Sequence, residues 1–203
     1  MFPSHDLAEL IDENFFDTSK GIRAGWTVDF IYTGTDYDVT DTRSIATNGN
    51  VTGDGTDGRI YMTSSSATKP RIKKDATTNG ARLFNNFNNG DGQWYITDLE
   101  FELTGTTGAV TLCSSDRGFN VMFYNCAFYM SGAAATLHHI SMGGNTSSQW
   151  RIINCYFEGG DVAIRKVNTG AAAAGFRFIG NEIVNVEFWI VTGKHHRLQS
   201  SNL

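Results

Sequence analysis

Proline is nearly missing from this chain of 203 residues, with 2 against 22 glycines, and charged side chains make up only 18% of it. Asn, Thr and Ser are plentiful instead, a mix that favours strands and turns over helices. Basic residues are in the minority, 16 against 21 acids, for a net charge of −5. A basic stripe for phosphate-driven nucleic-acid binding is therefore not expected. No apolar run approaches the roughly 18 residues that a membrane helix needs. The first sixteen residues carry Asp6, Glu9, Asp12 and Glu13 without a basic start, which is neither a secretory nor a transit pattern. Cysteine is scarce: Cys113, Cys126 and Cys155 form an odd set without CxxC spacing, so free buried thiols are expected rather than a metal site. Aromatics reach 12%, too many for a disordered chain.

A repeat fills this frame. The segments WYITDLEF (94–101), NVMFYNCAF (120–128), WRIINCYF (150–157) and FRFIGNEI (176–183) share an order of apolar, variable and turn-type positions. Their closing residues Phe101, Phe128, Phe157 and Ile183 step by 27, 29 and 26 residues. A second series, ARLF (81–84), AVTL (109–112), LHHI (137–140), VAIR (162–165) and FWIV (188–191), interleaves with it at a similar period. Strands this short are unstable alone, but stacking each on its equivalent one coil later pairs the backbone and builds parallel sheets. Alternation then puts Leu83, Leu112, Ile140 and Ile164 on one face. The turn-type residues Asp98, Asn125, Asn154 and Gly180 recur at one site, where they tolerate left-handed backbone and can stack as a column. Cys126 and Cys155 fall at equivalent sites about 4.8 Å apart, wider than a disulfide prefers, so stacked thiols are expected.

The reading is an all-β chain: a single-stranded right-handed parallel β-helix of about five coils with a short N-terminal capping helix. Residues 1–57 form the cap and a β-rich entry segment, 58–192 the β-helix, and 193–203 a polar tail. Within residues 6–16, Leu7, Leu10, Ile11 and Phe15 can share one helical face, suited to closing the open end of the stack. The tail, with His195 and His196 among polar residues, offers little to cover the last coil, which favours a homo-oligomer or a further domain over that end.

Over residues 58–192 the period and turn placement resemble the pectate-lyase-like superfamily of right-handed parallel β-helices, which includes pectin-degrading enzymes and bacteriophage tailspikes. The resemblance implies a virion or extracellular module, a polysaccharide or cell-surface glycan as partner, and a trimer. LHHISMGG (137–144) followed by VAIRKV (162–167) also resembles the Gly-His-Gly and Arg-Ile-Lys motifs of polygalacturonase-type hydrolases. That likeness makes His138 a catalytic candidate, with Arg165 and Lys166 contacting an acidic sugar. Here His138 lies between Leu137 and His139, not between glycines, and residues 130–137 hold no carboxylate. Glycoside hydrolysis needs one carboxyl to protonate the leaving group and another to activate water.

Two further constellations are candidates. Asp98, Glu100 and Glu102 alternate along one segment, so their side chains are expected to share a face that could hold Ca²⁺ in a lyase-type site; an ordinary solvated sheet face is the other reading. Tyr124, Tyr129 and Tyr156 occupy variable positions that should face solvent, and Trp150 joins Trp94 and Phe176 at the openings of repeats. Outward, such aromatics make a platform for sugar rings; inward, they are core. The expectation is a tailspike- or fibre-like module that binds glycan or a partner protein without catalysis. A secreted polysaccharide lyase or hydrolase is the first alternative, and a structural decoration subunit the second.

Overall fold

The computed structural model describes residues 27–32, 36–39, 45–46, 59–85, 93–115, 120–142, 150–166, 177–186 and 188–192. The capping helix expected over residues 6–16, the tail 193–203, Phe119 and Phe176 lie outside them. Among the described residues the chain is all-β, and its strands come in triplets. The first two triplets are β1 (Thr27–Tyr32), β2 (Asp36–Val39), β3 (Ile45–Ala46), then β4 (Arg59–Ser64), β5 (Arg71–Ala76) and β6 (Arg82–Asn85). The middle two are β7 (Gln93–Thr97), β8 (Glu100–Gly105), β9 (Ala109–Ser115), then β10 (Asn120–Tyr124), β11 (Ala127–Gly132) and β12 (Thr136–Met142). The last two are β13 (Trp150–Ile153), β14 (Tyr156–Gly159), β15 (Val162–Lys166), then β16 (Arg177–Ile179), β17 (Glu182–Val184) and β18 (Phe188–Thr192). Each member of a triplet joins a different six-stranded parallel sheet, in the orders β1-β4-β7-β10-β13-β16, β2-β5-β8-β11-β14-β17 and β3-β6-β9-β12-β15-β18. Visiting three parallel sheets in strict rotation is consistent with the connectivity of a parallel β-helix. The entry segment thus contributes a full triplet of its own.

The turn column sits where the sequence places it. Asp98, Asn125 and Asn154 have φ of 58°, 53° and 53°, and Gly180 has 64°, each between a first-sheet and a second-sheet strand. Left-handed backbone is costly for most L-residues and tolerated by Asn, Asp and Gly, which explains the composition of this column. The inter-coil ladder continues around the corner: Asp98 N–H donates to the Tyr124 carbonyl, Asn125 to Ile153 and Asn154 to Ile179. Side chains add a second ladder, with Asn125 Nδ2 donating to Asp98 Oδ1 at 2.6 Å and Lys69 Nζ to Asn125 Oδ1 at 3.0 Å. At the other end of β11, Gly132 (φ 112°) packs so near the Gly105 carbonyl that a Cβ there would run into it.

Inward residues form columns through the stack. Ile72, Phe101, Phe128, Phe157 and Ile183 register one above the other, and the three phenylalanines are fully buried. Their rings stack at 5.5 Å (Phe101–Phe128) and 4.7 Å (Phe128–Phe157). Phe84 of the third sheet and Phe123 of the first meet this column edge-on, at 5.1 Å from Phe101 and 5.2 Å from Phe128. Aromatic contacts therefore tie all three sheets together across one core. The third-sheet column differs from the expected one. Phe84, Cys113, Ile140 and Ile164 share one register position. Leu83 and Leu112 fall beside His139 and Ala163, not beside Ile140 and Ile164. Both neighbouring positions are buried in these strands, so period-two alternation cannot fix the register there.

Candidate functional site

The outward face of the second sheet collects the chemistry. Outward positions of β5, β8, β11 and β14 give two columns, Arg71–Glu100–Ala127–Tyr156 and Lys73–Glu102–Tyr129–Glu158. They face outward because Ile72, Phe101, Phe128 and Phe157 between them face in, as the strand period dictates. Arg71 is the hub. Its Nε and Nη2 donate to Glu100 Oε2 at 2.8 and 2.6 Å, and its Nη1 donates to Glu102 Oε2 at 2.8 Å. Its guanidinium lies 4.3 Å from the centroid of the Tyr129 ring. Partial burial works against the charge, but hydrogen bonds to Glu102 and Glu100 outweigh it and raise the pKa further, so Arg71 stays cationic. Tyr129 and Tyr156 are neighbours with ring centroids 5.9 Å apart, and Tyr156 Oη donates to Glu158 Oε2 at 3.0 Å. Burial, then Glu100, raises the Tyr129 pKa; the bond to Glu158, with a little desolvation, raises that of Tyr156. Both phenols stay protonated at neutral pH. At the edge of this face Lys73 Nζ pairs with Asp36 Oδ2 at 2.6 Å, a bond that raises its pKa.

Two expectations are corrected by this geometry. Trp150 is not part of an outward platform: it is 1% exposed, with its ring 6.2 Å from Phe123 in the core. The register pairs it with Val121, and Val121 with Trp94, so the tryptophans face inward. Asp98 does not alternate with Glu100 and Glu102 along one strand, because it occupies the left-handed turn before β8 and accepts from Asn125. Glu100 and Glu102 do share a face, but the cation they hold is the Arg71 guanidinium. Among the described residues no group of three His, Cys, Asp or Glu could hold a metal ion. Tyr124 faces solvent as expected, but on the first sheet, apart from Tyr129 and Tyr156.

The histidine candidates lie on the third sheet. His138 registers with Thr111 and Val162 and is buried; burial, then the charge of Arg165, lowers its pKa, while Asp161 opposes them. Arg165 is exposed on β15 in register with Ser141, and Lys166 follows it in register with Met142. The stack thus brings His138 and Arg165 onto one sheet, and it adds a carboxylate the sequence did not group with them. That carboxylate is Asp161, whose Oδ2 accepts from the Leu137 N–H at 2.7 Å while its own N–H donates to the Leu137 carbonyl at 2.9 Å. Asp161 is thereby engaged in joining two coils. His139, next in the chain, points into the core: its Nε2 is 2.8 Å from the Gly159 carbonyl and its ring meets Phe157 edge-on at 5.5 Å.

The thiols behave as expected. Cys113, Cys126 and Cys155 are free and buried, and burial pushes the Cys113 and Cys126 thiols up. Among the described residues no helix is long and apolar enough to cross a membrane. No family model, curated protein or solved structure matches the chain.

Proposed function

We propose that the chain is a right-handed parallel β-helix module of the tailspike or fibre type, displayed on a virion or outside the cell. It binds glycan on the outward face of its second sheet without catalysing a reaction. The handedness follows from the near-universal right-handed crossover between parallel strands of one sheet. The observation that carries the function is the juxtaposition of Tyr129 and Tyr156, 5.9 Å apart, with Glu102, Glu158 and Arg71 around them. Aromatic rings offer an apolar surface to the C–H faces of a pyranose, while carboxylates accept from its hydroxyls and a guanidinium donates to its oxygens. Parallel stacking repeats this chemistry at one coil spacing, which suits an extended, repetitive polymer. A homo-oligomer belongs to the same reading.

Binding without turnover is favoured by the state of the acids. Glu100 and Glu102 are tied to Arg71, and Asp161 beside His138 is tied to Leu137. A glycosidase needs a free pair, one acid and one base or nucleophile, facing each other across the bond. The rival reading, a polysaccharide lyase or hydrolase, places activity on the His138–Arg165 side of the molecule. An array of bacterial glycans, run beside a reducing-end assay on the glycans that bind, separates the two. The binder reading predicts retention of at least one glycan with no reducing ends released. Robust turnover that disappears in His138→Ala would establish the enzyme instead.

A further inference from the structure

Among the described residues, three large apolar side chains stand exposed: Ile31 (58%), Tyr124 (43%) and Ile179 (51%). All three fall in one outward column of the first sheet. Ile31 registers with Thr63, and Tyr124 registers with Thr97 on one side and with Ile153 and then Ile179 on the other. The adjacent outward column begins with Tyr61 stacked on Tyr95, rings 4.9 Å apart and 13° from parallel. It continues through Met122 to Arg151 and Arg177. Scattered exposed apolar residues mean little, but this set is confined to one face of three.

We propose that the outward face of the first sheet docks a second copy of the same chain, face to face, about a two-fold axis. The axis runs along the strands, midway between β7 and β10. A two-fold contact demands a self-complementary surface, and the order of the rows supplies it. Such an axis sets the first strand of the sheet against the last, the second against the fifth, and the third against the fourth. Arg151 of one copy then meets Tyr61 of the other, a cation over an aromatic ring. Met122 meets Tyr95, a thioether against a ring. Ile179 meets Ile31, removing two exposed aliphatic side chains from water.

The other two-fold arrangement, with its axis along the stack, would bring Arg151 and Arg177 of both copies to the same level, like charge beside like charge. The dimer face and the proposed glycan face are on different sheets, so each stands or falls alone, and the two-fold pair takes the place of the trimer that the resemblance implies.

The test is sedimentation equilibrium of the full chain up to about 100 µM, where a micromolar contact is saturated. The wild type should reach twice 22.3 kDa. Tyr124→Glu and Ile179→Glu should each weaken dimerisation by about tenfold or more, with melting temperatures showing that both variants fold. Tyr129→Glu, on the second sheet, should leave the dimer intact. A mixture of Ile31→Cys and Ile179→Cys chains should crosslink under an added thiol oxidant, whereas Ile179→Cys alone should not. A monomer throughout, a trimer, or a dimer indifferent to Tyr124→Glu and Ile179→Glu would overturn the proposal. So would crosslinking of Ile179→Cys to itself, or loss of glycan binding in Tyr124→Glu with no change in mass.

Discussion

Phe128 and Phe157, twenty-nine residues apart in the chain, lie ring on ring at 4.7 Å and 10° from parallel, both fully buried. That contact is one step of the column that runs from Ile72 to Ile183, and it sits where the second sheet meets Phe123 of the first and His139 of the third. Removing either ring opens a cavity that stacked strands on both sides cannot close. Phe128→Ala and Phe157→Ala should each destabilise the fold by about 3–5 kcal/mol. Chemical denaturation gives the values, and losses below about 1 kcal/mol for both would contradict the column.

The left-handed turns make a sharper comparison. Asn125 has φ of 53° and its side chain bridges Asp98 and Lys69. Asn125→Ala forces an alanine into that conformation and removes the bridge, so it should lose about 1–3 kcal/mol. Asn125→Gly removes the same bridge but accepts the backbone angle, and should lose clearly less. Equal losses for the two variants, read from denaturation midpoints at constant slope, would mean that the backbone angle is unimportant.

His139 ties stability to pH. Burial drives its pKa from 6.5 down to about 4, with the Gly159 carbonyl pulling up and His138 pushing down. Its Nδ1 has no hydrogen-bond partner among the described residues, so the fold holds the neutral ring. Because the folded value lies below the unfolded one, this group's contribution is complete above pH 6.5. It is lost as pH falls from 6.5 toward 4. The full loss is about 3 kcal/mol. His139→Leu, beside Leu112 and Ala163 in the same register position, should be less stable at pH 7 for want of the Gly159 bond. It should also flatten the stability profile between pH 4 and 6.5. An unchanged slope in the variant would assign the acid sensitivity elsewhere.

The two parts of the sequence differ in how much of this they reveal, and the reasons are physical. The column Phe101–Phe128–Phe157–Ile183 and the turn series Asp98–Asn125–Asn154–Gly180 are legible because one turn residue per coil resets the register every time. The third-sheet strands lack that marker, and burial of both Leu112 and Cys113, or of both His139 and Ile140, erases the alternation that would have aligned them. Trp150 shows that a repeat position reveals recurrence but not the side of the sheet; its neighbours Val121 and Ile152, both buried, carry the inward phase. Arg71 was the missed residue. It sits in the basic run KPRIKK, where it reads as one solvated charge among several. Only its separation from Glu100, 29 residues, equal to one coil, signals that the two carboxylates already have a cation.

Isothermal titration decides whether Tyr129 and Tyr156 form the glycan platform. The ligand is whichever glycan the wild-type chain retains on an array, titrated into wild type, Tyr129→Ala, Tyr156→Ala and Tyr124→Ala. The two second-sheet variants should each lose about tenfold or more in affinity with unaltered melting temperatures, and Tyr124→Ala should bind as the wild type does. Wild-type affinity in both Tyr129→Ala and Tyr156→Ala would contradict the platform.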